Sequence, residues 1–264
     1  MKGFMILLLV ALLVSSIGFK KYVWFISIGY GFAVAAIGAA LLIMYRGSLT
    51  AGTVCACILF IIYGCRLGGY LAYRELRSSS YNKKMKTEIK SGKGMSFIAK
   101  AGIWISAAIL YAAETSPVLW RMEAGGKTNA ILWIGLAISA CGLILESCAD
   151  LQKNAAKKKN PGRFVDRGLF KLVRCPNYLG EMLFWTGVLV GGMTCYHGAG
   201  QWILSLLGYI GIIYVMFGGA RRLEMRQNRT YGTDPEYQAY VKSTPIMVPF
   251  IPLYSVEKYK WLVA

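Results

Sequence analysis

Four long runs of this chain carry no charged side chain: Gly3–Phe19, Tyr22–Tyr45, Gly47–Cys65 and Met182–Ala220. In hydrocarbon every backbone N–H and C=O must find its partner within the segment, so such runs are helices that cross a membrane. Only 16% of the 264 residues are charged and 56% are apolar, far from the balance of a soluble domain. Read in order, the runs predict an all-α, polytopic membrane helix bundle with about seven transmembrane helices. These lie near residues 3–19, 22–45, 49–74, 96–119, 129–152, 179–195 and 201–222. The fourth span is expected to stop at Ser116-Pro117. The second is rich in glycine and alanine (Gly29, Gly31, Gly38, Ala39, Ala40), which lets helix backbones approach closely in lipid.

The net charge of +18 is explained by where the basic residues fall. Of 30 Lys and Arg, 25 lie in alternate connections: after spans 1, 3 and 5, and in the tail after span 7. This positive-inside pattern predicts an outside N-terminus and a cytoplasmic C-terminus. Anionic headgroups, not nucleic acid, are the partners it implies. The seven cysteines sit mostly in apolar runs and His197 is the sole histidine. Neither a disulfide framework, a metal site nor a histidine-based triad is expected. The basic pair Lys20-Lys21 follows the first apolar segment instead of preceding it, the wrong polarity for a cleaved leader.

Against this background one stretch stands out, ESCADLQKNAAKKKNPGRFVDRGLFKLVRCPNYLGE at 146–181. Glu146 and Asp150 are spaced i, i+4 at the cytoplasmic end of span 5, where the helix dipole disfavours acids. A salt bridge to Arg66 or Arg174, or a ligand that donates hydrogen bonds, would account for them. In RCPNYLGE, Pro176 breaks the preceding helix, and Asn177 is expected to cap span 6. The exposed amides there, with Arg163, Arg167, Lys171 and Arg174 nearby, suit phosphate. Glu181 follows in the first turn. Lys157–Lys159 read as headgroup contacts.

Arg66 lies inside span 3, and an ionisable residue within a membrane points to function. It shares a face with Tyr70 and Arg74, with Gly64, Gly68 and Gly69 expected to leave room around it. The tail after residue 223 carries Arg226, Arg229, Tyr231, Tyr237 and Tyr240 and ends rich in Pro. It is expected to be an irregular docked segment over the cytoplasmic mouth or on the headgroups.

GLFKLVRCPNYLGEMLFW resembles the membrane steroid 5-alpha-reductase C-terminal family, whose pattern is Gly-Leu-Phe/Trp followed by Arg-His-Pro-Asn-Tyr-x-Gly-Glu. ESCADLQK upstream and RRLEMRQNRTYGTDPEYQAYVKSTPIMVPFIP downstream are similar in type and order, as is Arg66-x-x-x-Tyr70-x-x-x-Arg74. The likeness covers roughly residues 63–252. It implies NADP bound in the cytoplasmic half of a seven-helix bundle, and reduction of a carbon–carbon double bond conjugated to a carbonyl in a lipid or steroid-like substrate. By position it implies cofactor contacts at Glu146, Asp150, Arg174, Asn177 and Glu181, and further ones at Arg66, Arg222 and Tyr231. One membrane domain would then have spans 1–4 (1–128) on the substrate side, and spans 5–7 with the tail (129–264) on the cofactor side. Two departures stand out. Cys175 replaces the family histidine, and the acid and tyrosine that polarise the substrate carbonyl have no obvious equivalents. Tyr63, Tyr70 and Tyr111 are candidate proton donors, and Glu114 a candidate acid. The alternative is a membrane methyltransferase of isoprenylcysteine or phospholipid type using S-adenosylmethionine, distantly similar through its Pro-x-Tyr-x-Gly element. Either enzyme would be an integral membrane protein, of the plasma membrane if bacterial.

Overall fold

The computed structural model describes residues 1–77, 94–125 and 127–263. The polar stretch expected as the first cytoplasmic loop, 77–95, falls almost wholly outside them. Among the described residues there are eight α-helices and no strand: α1 Lys2–Ser15, α2 Ile28–Met44, α3 Ala51–Arg77, α4 Phe97–Glu123, α5 Ala130–Lys159, α6 Pro176–Gly192, α7 Ala199–Tyr231 and α8 Pro235–Ser243. Six segments are long and apolar enough to cross a bilayer: α1 and α2 with their flanking 3-10 turns, then α3, α4, α5 and α7. This is an integral membrane protein. The sixth of the seven expected spans corresponds to α6, which has 17 residues. At 1.5 Å per residue it reaches about 26 Å, short of the ~30 Å of hydrocarbon.

The chain forms two compact units, Met1–Leu136 with Val188–Tyr209, and Ala137–Gly187 with Ile210–Ala264. In the first, α2 and α3 pack backbone to backbone. A Cβ on Gly64 would lie 2.6 Å from Ala35 N, one on Gly31 2.9 Å from Gly64 O, and one on Gly38 2.8 Å from Cys57 O. The small residues therefore act as expected for span 2. They act differently for Arg66: Gly64 and Gly68 face α2, so they do not leave room around the arginine. Two residues along a helix is a rotation of about 200°, which turns Arg66 away from that contact. Gly64→Ala is expected to cost about 1–3 kcal/mol by overpacking, read as a lower melting temperature in detergent. Gly69→Ala in the same helix, where nothing lies within 4 Å, is the control and should not destabilise.

The helix ends of this unit sort into two sets. At one end, Gly3 of α1 abuts Glu123 and Tyr45, which close α4 and follow α2. Gly52 N donates to Thr128 Oγ1 (3.3 Å). Buried Arg121 donates to Gly191 O (2.7 Å), Lys127 O (3.1 Å) and Thr194 Oγ1 (2.6 Å). At the other end, Lys21 pairs with Glu75, which also accepts from Trp24 Nε1 at 2.7 Å. Loops that charge alternation places together do meet.

Pro117 does not end its helix. Having no N–H, it leaves the Ala113 carbonyl unserved; Ser116 Oγ donates to that oxygen at 2.7 Å, and α4 continues to Glu123. Such hydroxyl rescue is how membrane helices tolerate proline.

In the second unit the tail is more ordered than expected. Asp234 caps α8 by accepting from Glu236 N (2.9 Å), with Pro235 at the first helical position, a favoured N-terminal pair. Phe164 is enclosed by Tyr231, Tyr237 and Tyr240, ring centroids 5.3–5.9 Å away. Beyond α8 the chain lies on the α6–α7 end. Arg174 N and Cys175 N donate to Pro245 O and Ile246 O, both at 2.9 Å. Ile246 and Met247 bury beside Cys175 and Ala220.

Candidate active site

The acids of 146–181 are placed by a glycine contact. A Cβ on Gly142 of α5 would lie 2.5 Å from Gly180 O, and one on Gly180 of α6 2.6 Å from Glu146 N and 2.8 Å from Glu146 Cβ. Ser139 Oγ adds a bond to Phe184 O at 2.8 Å. The two backbones touch, and this brings Glu146 beside Gly180-Glu181. Both glutamates are buried. Glu181 accepts from Trp185 Nε1 at 3.1 Å. Asp150, one turn past Glu146, is half-buried.

Asn177 is not the cap of α6. Pro176 takes the first helical position, and the Cys175 carbonyl accepts the first helical bond, from Leu179 N at 3.1 Å. Proline fits there because its missing donor is not needed. Asn177, one residue into the helix, has its Oδ1 buried with no hydrogen bond to a described residue.

Arg174 is fully buried. Its Nη2 donates to Glu224 Oε1 at 2.8 Å and to the Tyr254 carbonyl, while Glu224 Oε2 accepts from Val256 N at 2.9 Å. The pair thus fastens the tail to the entry of α6. Arg174 Nε and Nη1 are buried and make no well-formed hydrogen bond to a described residue, although the Tyr237 phenol stands close by. Burial pushes that phenol up to about 12, with Arg174 partly opposing. The Cys175 thiol is likewise raised to about 12 by burial, against Arg174 and Lys153. A neutral thiol stands where the family pattern has an imidazole.

Two further candidates lie towards the C-terminal end of α7. Arg222 is exposed. Tyr231 packs on Phe164, and its hydroxyl accepts from Lys157 Nζ at 3.0 Å. Lys157 also donates to Pro161 O and Arg163 O. It therefore ties down the connection after α5 and is not one of the headgroup contacts expected of Lys157–Lys159.

In the first unit, Arg66 and Tyr70 are half-buried, and the Arg74 guanidinium sits over the Tyr70 ring at 5.5 Å. The expected shared face thus holds for Tyr70 and Arg74. Tyr63 is buried, and its hydroxyl donates to Tyr30 Oη at 2.8 Å. Tyr30 in turn packs on Tyr111, centroids 4.8 Å apart, and Tyr111 Oη donates to Phe25 O. Glu114 is buried where Gly208 of α7 packs on α4. Tyr30 escaped the sequence reading because it sits in the glycine- and alanine-rich span, IGYGFAVAA; a lone hydroxyl among residues chosen for close packing was the available signal.

One family model matches residues 13–244. The chain belongs to the DUF1295 family. That family is described as "Protein of unknown function". The match reaches from α1 through α8 and includes every candidate residue named above. A stretch of 120 residues of this DUF1295 protein is 28% identical to a protein named steroid 5-alpha-reductase DET2, from Gossypium hirsutum. The stretch is 44% of this chain and 41% of that relative, so the chain spans well under half of the curated protein it matches. No solved structure matches the chain.

Proposed function

We propose that this DUF1295 protein is an NADPH-dependent membrane reductase of a carbon–carbon double bond conjugated to a carbonyl in a lipid or steroid-like substrate. The similarity to a steroid 5-alpha-reductase and the motif at 174–181 support the reaction class. The observation that carries the cofactor reading is a set of buried polar atoms on one entry to α6: Arg174 Nε and Nη1 and Asn177 Oδ1, one turn from Glu181. They fit a ligand that is both anionic and rich in hydroxyl and amide groups. Arg174 would donate to phosphate oxygens. Glu146, Asp150 and Glu181 would accept from ribose hydroxyls or the carboxamide, and Asn177 would accept from an N–H. Arg66, Arg222 and Tyr231 remain further contacts in this reading. The bound nucleotide supplies a hydride, the chemistry that side chains lack.

The chain's own task at the substrate is to stabilise charge on the carbonyl oxygen and deliver a proton. Among Tyr63, Tyr70 and Glu114, Tyr63 suits this best. Tyr63 donates to Tyr30 in the resting pair; turning its O–H to a substrate oxygen would free Tyr30 to donate to the phenolate left behind. The surrounding bundle admits an apolar substrate from lipid and excludes water. By the charge asymmetry, the nucleotide enters from the cytoplasm and the N-terminus lies outside.

Purified protein should therefore be stabilised by NADPH, by about 2.7 kcal/mol at a concentration 100 times Kd. Asn177→Ala should keep the apo melting temperature, Glu181→Ala should lower it somewhat by stranding Trp185 Nε1, and each should lose most of the NADPH shift measured from its own apo value. A shift with S-adenosylmethionine and none with NADPH would overturn the reductase.

A further inference from the structure

The segment after Ser255 runs back along α7, and its contacts act as a depth gauge. Glu257 is level with the helix's charged end: its carbonyl accepts from Arg221 Nε at 3.0 Å and its carboxylate from Asn228 Nδ2 at 2.6 Å. Trp261 and Val263 are level with Tyr214. Tyr214 Oη donates to Trp261 O (2.8 Å), accepts from Val263 N (3.2 Å), and its ring stacks on Trp261 at 6.1 Å. Arg221 to Tyr214 is seven residues of helix, about 10 Å. Over that interval α7 reads YVMFGGAR, uncharged until Arg221. The chain has turned around beside the charged end of α7 and runs back along a helix long and apolar enough to cross a membrane.

Its side chains alternate accordingly. Val256, Tyr259 and Leu262 pack inward against Ala220, Phe217 and Tyr214. Trp261 and Val263 are 65% and 76% exposed, so in water most of a valine and much of an indole would lie bare, Trp261 keeping only its ring contacts with Tyr214 and Tyr259. Lys258 and Lys260 are exposed just above them.

We propose that residues 257–263 form an interfacial anchor: Trp261 and Val263 lie in the boundary between headgroups and acyl chains, with Lys258 and Lys260 on anionic headgroups. The occupant of this surface is the lipid bilayer itself. Continuity with the apolar face of α7 carries that choice, since an outward residue at the depth of Tyr214 meets whatever covers α7. Tryptophan and lysine are the residues that hold such a boundary.

Site-directed spin labels decide it. Labels are placed one at a time at positions 255, 261 and 263 of the full chain through a non-natural amino acid, which leaves the seven cysteines alone. The protein is reconstituted in phosphatidylcholine vesicles containing phosphatidylglycerol. Accessibility to oxygen relative to a water-soluble nickel chelate should be several-fold higher at 261 and 263 than at 255, an exposed position. Equal ratios at all three would place the segment in water and overturn the anchor. Low accessibility to both reagents at 261 and 263 would also overturn it, showing that a second protein surface covers them. All three side chains are exposed and the Tyr214 bonds go to backbone atoms of Trp261 and Val263, so the labels leave the fold intact. Neither outcome depends on nucleotide binding.

Discussion

Glu224→Ala is expected to lower the unfolding free energy by about 3–5 kcal/mol, the usual consequence of stranding one member of a buried ion pair. Arg174 would keep its charge in a site closed to water, left with the Tyr254 carbonyl and the nearby Tyr237 phenol. Val256 N, which Glu224 Oε2 serves at 2.9 Å, would lose its acceptor as well. Because both bonds hold the tail, the loss should be visible first as proteolysis within 245–263 and then as a lower melting temperature. Removing both charges with Arg174→Met and Glu224→Leu should recover much of the stability, since apolar pairs replace buried ion pairs at little cost. It should not recover NADPH binding if Arg174 donates to phosphate. A Glu224→Ala protein with unchanged melting temperature would show that the tail is held by its apolar contacts alone.

Tyr63→Phe is expected to reduce turnover by about 10²–10⁴-fold, the contribution of a positioned proton donor. The change removes one oxygen from a buried, well-packed ring, so the bundle should assemble normally and the NADPH-induced thermal shift should persist. NADPH oxidation with a 3-oxo-4-ene steroid as probe gives the rate. Tyr30→Phe should produce a smaller loss, because it removes the hydrogen-bond partner and keeps the Tyr63 hydroxyl. Tyr63→Phe activity within a factor of a few of wild type would transfer the role to Tyr70 or Glu114.

The membrane architecture was legible because its causes are compositional. Uncharged runs and alternating lysines record the bilayer directly, and the glycines of span 2 announced the α2–α3 contact. Local rescue was not legible. Pro117 stops a helix in water, yet Ser116 supplies the missing bond in α4, and pattern reading has no access to that geometry. The same holds for Asp234-Pro235, which reads as a turn until the nine residues after Asp234 prove to form a helix. Glu146 and Glu181 were singled out as candidates from their positions at helix ends. That a Gly142–Gly180 contact joins them was not, because glycines 38 residues apart leave no periodic trace. Arg174 was read as a salt-bridge partner for Glu146 and Asp150 or as a phosphate contact; its partner in the structure, Glu224, lies fifty residues on.

The Gly142–Gly180 contact has a consequence for anyone who maps this protein by mutation. Neither residue has a functional atom, yet any side chain at either one pushes α5 from α6 and carries Glu146 away from Glu181. A scan scored by activity would rank these glycines with the acids themselves. Only a scan that also records protein abundance would separate residues that touch the proposed nucleotide from those that merely set the distance between the two carboxylates.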